Sequence, residues 1–263
     1  MLKIRVIPTL LWKNFGLVKG VQFDSWRRVG PVLPAIKVYN QRDVDELILV
    51  DILASEDNVD IDIESVQEFS RECFIPLTVG GGIKNLQQVQ ELLRSGADKV
   101  SINTSSFSNI NLISSIAKKH GCQSIIASID VKRTSPRSAN WICYSHRGQI
   151  STGIDAVEWA KILEDSGAGE ILVTSIDKDG TLEGYDFDLI ESIATAIKIP
   201  IIASGGAGTY DHMIHAVKNC GASAVAAASM FHFTQQTPAE AKEAMRSAGL
   251  PVREAYRIPQ EKL

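Results

Sequence analysis

Short runs of β-branched and other apolar residues alternate along this chain with longer segments whose apolar positions recur every three or four residues. The first pattern predicts strands at Ile4–Leu11, Glu46–Ile52, Leu77–Val79, Lys99–Asn103, Ser124–Asp130, Glu170–Ser175, Pro200–Ala203 and Ala224–Ala227. The second predicts helices at Ile63–Cys73, Leu86–Ser95, Ile110–His120, Ala156–Gly167, Leu189–Ile197, His212–Asn219 and Ala239–Ala248. A further helix is expected across Gly30–Asn40, disturbed by Pro31 and Pro34. Eight strands alternating with eight helices read as parallel βα units. An open sheet would need edge strands, and none of these runs looks like a polar edge. The expected fold is α/β: one (β/α)8 TIM barrel spanning residues 1–263.

The pattern also repeats. Ile75-Pro76-Leu77-Thr78-Val79-Gly80-Gly81-Gly82-Ile83 returns 124 residues later as Ile199-Pro200-Ile201-Ile202-Ala203-Ser204-Gly205-Gly206-Ala207-Gly208. Glu46–Val50 matches Glu170–Thr174 at the same offset, and Ala97–Ser101 matches Ala222–Ala226 at 125. Arg5-Val6-Ile7 matches Ser124-Ile125-Ile126 at 119. The barrel is therefore expected to be two duplicated half-barrels of four βα units each. One insertion, about 131–153, breaks the rhythm. Trp141–His146 and Gln149–Thr152 flank Arg147-Gly148, which reads as a hairpin after strand five.

Composition narrows the picture. An apolar fraction of 44% with 22% charged residues is that of a globular domain, and a net charge of −4 gives no reason to expect nucleic acid or an anionic membrane as partner. Cys73, Cys122, Cys143 and Cys220 form no CxxC pair, which fits a reducing compartment, and the expected location is the cytoplasm. The apolar run Val6–Trp12 is short and contains Pro8, so it reads as a strand rather than a signal peptide or membrane span. His212 and His215 have HxxH spacing without further ligands. His232 reads as a packed helix residue. No metal, cofactor or nucleophilic triad is expected.

Barrel chemistry belongs at the C-terminal ends of the strands. A strand that breaks into glycines before a helix lets backbone N–H groups approach an anion. One phosphate cradle is expected from Gly81, Gly82, Asn103 and Thr104, and a second from Asp179, Gly180, Gly205, Gly206, Ala228 and Ser229. Asp130 ends an apolar strand, where partial burial would raise its pKa toward working pH for acid–base catalysis.

Several stretches resemble the HisF family, the cyclase subunit of imidazole glycerol phosphate synthase. They are Leu17-Val18-Lys19-Gly20, Thr78–Ile83, Ala97–Thr104, Gly169-Glu170-Ile171 through Thr174–Thr181, and Ile201–Gly208. The resemblance runs nearly end to end. It implies a barrel that binds a phosphorylated small molecule by a phosphate at each end. It also implies a HisH-type glutaminase partner that sends ammonia through the barrel into a phosphoribosyl-formimino aminoimidazole carboxamide nucleotide. It further implies an ammonia gate at Arg5, Glu46, Lys99 and Glu170, and a partner-docking position at Asp98.

One departure matters. The family uses an aspartate at the end of strand one and another at the end of strand five as complementary acid and base. Asp130 matches the second, and Leu11 stands at the first. The internal repeat shows the same gap, since Ser128-Ile129-Asp130 aligns with Thr9-Leu10-Leu11. Leucine cannot transfer a proton, so another group, with Asp51 and Asp177 as candidates, would have to replace it. The pattern resembles a divergent branch that works with a sugar amidotransferase to make acetamidino groups on bacterial surface sugars; Asn40–Ile52 and Glu72–Pro76 share that likeness. The leading expectation is such a diverted amidotransferase-complex enzyme. The alternatives are a genuine histidine-biosynthesis cyclase forming imidazole glycerol phosphate and AICAR, and a non-catalytic scaffold that activates its glutaminase.

Overall fold

Residues 2–13, 16–42, 44–54, 60–135 and 138–254 are described by the computed structural model. In chain order the elements are β1 (Arg5–Lys13), β2 (Gly16–Val21), β3 (Asp24–Gly30), α1 (Val32–Gln41), β4 (Leu47–Asp51), α2 (Ile63–Arg71), β5 (Leu77–Gly80), α3 (Leu86–Arg94), β6 (Lys99–Ile102), α4 (Thr104–Ser108) and α5 (Asn111–His120). They continue as β7 (Ile125–Arg133), β8 (Trp141–Ser145), β9 (Ile150–Asp155), α6 (Ala156–Asp165), β10 (Glu170–Ser175), α7 (Phe187–Ala196), β11 (Ile201–Ser204), α8 (Tyr210–Lys218), β12 (Ala224–Ala227), α9 (Ser229–Phe233) and α10 (Pro238–Ser247).

Eight of the strands, β1-β4-β5-β6-β7-β10-β11-β12, pair in parallel, and β12 closes on β1 through Arg5↔Ala224 to Pro8↔Ala227. This is a single (β/α)8 TIM barrel with helices outside. Period-two alternation sorts the side chains. Val6, Leu10, Leu47 and Leu49 join the large core under the helices. Ile7, Ile48, Ile126, Leu172, Ile202, Ala224 and Ala226 form a separate apolar cluster inside the barrel. Helix starts follow local chemistry: Asp62, Asn85, Asp155, Asp186 and Thr209 each accept a backbone N–H of the first turn, and Thr237 with Glu240 makes a capping box. Among the described residues no helix is long and apolar enough to cross a membrane.

The duplication goes further than the repeat in sequence. The inserted hairpin is β8–β9; residues 136 and 137 of the expected 131–153 insertion lie outside the described residues. A second hairpin, β2–β3, follows β1 and was not foreseen. Each hairpin zips antiparallel onto the first strand of its half, β2 on β1 and β8 on β7. The first strands therefore run on to Lys13 and Arg133, and Leu11 and Asp130 lie within them rather than at their ends. Short helices α4 and α9 were also missed, and they too are equivalents, each directly following the last strand of its half. The base of β8–β9 is tied to α7: Arg133 Nε and Trp141 Nε1 both donate to Asp186 Oδ2 at 2.9 Å.

Candidate functional site

A pocket opens at the C-terminal ends of the parallel strands, and both predicted cradles line it: Gly81, Gly82, Asn103 and Thr104, with Asp179, Gly180, Gly205, Gly206, Ala228 and Ser229. Leu11 and Asp130 line the same pocket. The two glycine loops have the same steric origin. A Cβ on Gly81 (φ +101°) would lie 2.0 Å from the Asp51 carbonyl oxygen, and one on Gly205 (φ +84°) 2.6 Å from that of Ser175. Only glycine lets these turns pass so close to the preceding strand. The residues before α4 and α9 also match, Asn103 at φ −122°, ψ −87° and Ala228 at φ −123°, ψ −69°. Thr9 Oγ1, Asn103 Oδ1 and Ser229 Oγ are buried pocket-lining atoms with no protein hydrogen-bond partner. Such atoms gathered around one pocket mark a place that a polar ligand or water completes.

The acid–base position is asymmetric. On β7, Asp130 sits in register with Thr174 of β10 and Tyr144 of β8, and it accepts a hydrogen bond from Asn103 Nδ2 at 2.6 Å. Burial pushes its carboxyl up to about 7; the Asn103 hydrogen bond opposes this, and the nearby Asp179 carboxylate adds to it. On β1 the equivalent Leu11 sits in register with Val50 and Val18. One wall of the pocket is thus apolar and the other polar.

The structure brings in residues that the sequence reading did not single out. Lys19 is buried, and its Nζ meets Asp179 Oδ2 at 2.6 Å. Burial raises the Asp179 carboxyl above its ordinary range, with Lys19 opposing. Phe23, Trp26 and Arg147, from the two hairpins, also line the pocket. Of the two substitutes considered for Leu11, Asp51 lines the pocket but its Oδ1 caps Leu53 N at 2.9 Å and Ala54 N at 3.2 Å. Asp177 is not part of the lining; its Oδ2 accepts from Arg133 N at 2.9 Å. Lys19 bridges 160 residues to its partner, a link that no spacing rule could signal.

At the opposite end of the barrel Arg5, Glu46, Lys99 and Glu170 close a ring of alternating charge. Arg5 Nη1 meets Glu46 Oε2 at 2.7 Å and Arg5 Nη2 meets Glu170; Lys99 Nζ reaches Glu46 at 3.1 Å and Glu170 at 2.6 Å. Thr78 Oγ1 donates to Glu46 at 2.8 Å. Burial alone would raise the Glu170 carboxyl, but Arg5 and Lys99 outweigh it and hold it below its ordinary range. Burial likewise opposes charge on Arg5, and Glu170 and Glu46 overcome it. Asp98 is exposed on this face, and its Oδ2 accepts the Leu77 N–H at 2.8 Å.

Elsewhere, His212 Nδ1 accepts from Gly208 N at 3.3 Å, which ties α8 to the second glycine loop. His232 lies on α9 with Nε2 3.4 Å from the Thr9 carbonyl, and burial depresses its pKa to about 4. Among the described residues no cluster of three or more His, Cys, Asp or Glu could hold a metal.

The family described as histidine biosynthesis protein matches residues 5–237 of this chain, and the chain belongs to that family.

Proposed function

We propose that this barrel is the cyclase-type subunit of a glutamine amidotransferase complex. It takes ammonia from a glutaminase at the Arg5–Glu46–Lys99–Glu170 face, passes it along the barrel axis, and holds a ligand with a phosphate at each end in the pocket. The observation that carries this reading is the closed charge ring beneath an apolar interior that leads to the pocket. Hydrophobic side chains would seal a barrel end without desolvating four charges. A ring of ion pairs suits a seal that a partner can open by displacing one side chain. Leu2 and Phe74, 86% and 82% exposed at the N-terminal ends of the strands, supply apolar contacts for that partner, and Asp98 lies on the same face.

In the pocket, a carboxyl with a pKa near 7 can give or take a proton at neutral pH, which suits Asp130 to act on the ligand between the cradles. Leu11 leaves that carboxylate without its symmetric counterpart. We read the subunit as diverted from histidine-pathway ring closure toward acetamidino modification of a bacterial surface sugar, with a sugar amidotransferase as a further partner. The buried Lys19–Asp179 pair in the same pocket favours a second reading: a genuine histidine-pathway cyclase in which that pair replaces the missing acid.

Ammonium-dependent turnover of the phosphoribosyl-formimino aminoimidazole carboxamide nucleotide separates the two. Diversion predicts wild-type turnover about 10²–10⁴-fold below that of Leu11→Asp, the usual worth of one positioned acid or base. Wild-type turnover equal to or above the variant refutes diversion and supports the second reading.

A further inference from the structure

Each glycine loop ends in a backbone N–H held by a side chain of the helix that follows. In the first half Lys84 N donates to Gln88 Oε1 at 2.7 Å, and in the second Gly208 N donates to His212 Nδ1 at 3.3 Å. The two pairs lie 124 residues apart, the offset of the repeat. Their surroundings correspond. Asn85 and Thr209 cap α3 and α8 by accepting Gln88 N at 3.0 Å and His212 N at 3.3 Å, and the Gln88 and His212 side chains reach back past those caps. Two reciprocal hydrogen bonds thus close each loop onto its helix, like a capping box shifted by one residue.

The two braces differ in chemistry. An amide stays neutral at every pH, whereas an imidazole accepts at Nδ1 only while uncharged, with its proton on Nε2. Each environment suits its residue. Gln88 Nε2 donates to Asp60 Oδ1 at 2.8 Å. A histidine beside that carboxylate would be held charged and could not accept. At the offset of 124 from Asp60 stands Gly184, whose backbone packs on the His212 ring: a Cβ there would lie 3.5 Å from Nε2 and Cδ2. Phe187 of α7 lies edge-to-face, with ring centroids 6.5 Å apart. Charged groups on the adjoining elements are paired elsewhere: Glu183 with Lys178, Asp186 and Asp188 with Arg133, and Glu240 with Tyr210 and Thr237. Burial holds the His212 pKa below its ordinary value; Asp211 on its own helix opposes this and His215 adds to it. Two further bonds fix the same loop, Gly184 N to Gly206 O and Gln236 Nε2 to Gly208 O, both at 2.8 Å. Their donors are a backbone amide and a side-chain amide, so the His212 bond is the one of the three that a proton removes.

We propose that His212 is a positioning residue: its neutral ring sets the backbone of the second glycine loop, and its protonation weakens anion binding there but not at the first loop, which Gln88 sets. This rests on the reading of the glycine loops as phosphate cradles. Sulfate is the probe, because it stays a dianion between pH 8 and pH 5. Amide NMR of the intact protein follows both loops in one sample. Below the ordinary histidine value of about 6.5 the Gly208 amide should shift with the His212 ring, and the Lys84 amide should not. Sulfate affinity read at Gly205 and Gly206 should fall about three- to tenfold from pH 8 to pH 5 relative to that read at Gly81 and Gly82, the usual worth of one hydrogen bond. His212→Gln, which installs the acceptor of the first half, should abolish this pH effect, and His212→Leu should bind weakly at the second loop at both pH values. The comparison of the two loops within the wild type needs no variant, so it stands even where a variant fails to fold. A ratio of the two affinities that does not change with pH, or wild-type affinity in His212→Leu at pH 8, overturns the proposal. A rise at the second loop in acid also overturns it, since His212 would then act as a cation rather than a brace. Sulfate that shifts the glycines of neither loop at pH 8 removes the cradle reading, and this proposal with it.

Discussion

Replacing Asp130 by Asn should make the protein more stable at high pH and less active at any pH. The carboxyl moves from an ordinary 3.8 to about 7 on folding because burial disfavours its charge. Below the unfolded pKa both states are neutral and the group costs the fold nothing. As pH rises the unfolded chain ionises first, and the folded state loses stability until the folded pKa is passed. At 1.36 kcal/mol per tenfold, the full cost above pH 7 is about 4 kcal/mol. Asp130 faces an open pocket that water enters, so about half of that is the better expectation. Asparagine can still accept from Asn103 but carries no charge. Its intrinsic packing difference is the same at every pH, so the difference between two pH values isolates the ionisation. Urea denaturation at pH 5 and pH 8 should show the Asn variant gaining about 1–3 kcal/mol relative to wild type between the two. A relative stability that does not change with pH, or changes in the opposite direction, would refute the claim that burial raises the Asp130 carboxyl toward neutrality. The same variant should lose turnover of whatever ligand the pocket processes by about 10²–10⁴.

The charge ring and the glycine loops give two more tests. Glu46→Ala leaves partly buried Arg5 and Lys99 facing Glu170 alone, and should cost about 2–4 kcal/mol in urea denaturation; a loss under about 1 kcal/mol would mean that water solvates the ring freely. Gly81→Ala places a methyl 2.0 Å from the Asp51 carbonyl oxygen in left-handed backbone, so it should destabilise by at least about 2 kcal/mol and weaken phosphate binding. Retention of both properties would show that the loop can relax.

Two halves built alike hold unequal chemistry. Their hairpins, glycine loops and short helices correspond, and so do the backbones at Asn103 and Ala228. The asymmetry lies in single side chains: Leu11 against Asp130, and Lys19 engaged with Asp179 on the same rim. The duplicated backbone gives the pocket a symmetric frame, while side-chain choice places a carboxyl with a raised pKa at only one of the two equivalent positions.

Hydrophobic periodicity alone predicted all eight barrel strands within a few residues, because each must bury one face against the helices and the other inside the barrel. The repeat also picked out the glycine loops that line the pocket and exposed Leu11, since equivalent positions in two half-barrels must meet equivalent geometry. It did not disclose β2–β3. That turn carries left-handed backbone at Gln22, Phe23 and Ser25, with none of the Gly or Asn residues that signal a hairpin, and its shape comes from docking on Asp179 and Gly148. Helices α4 and α9, at five residues each, are too short to show a period. The Lys19–Asp179 pair, the closing of the charge ring and the meeting of Arg147 with Trp26 join residues far apart in the chain. Periodicity reports which face of an element is buried; which side chains then meet depends on barrel closure and on how the hairpins fold across its mouth.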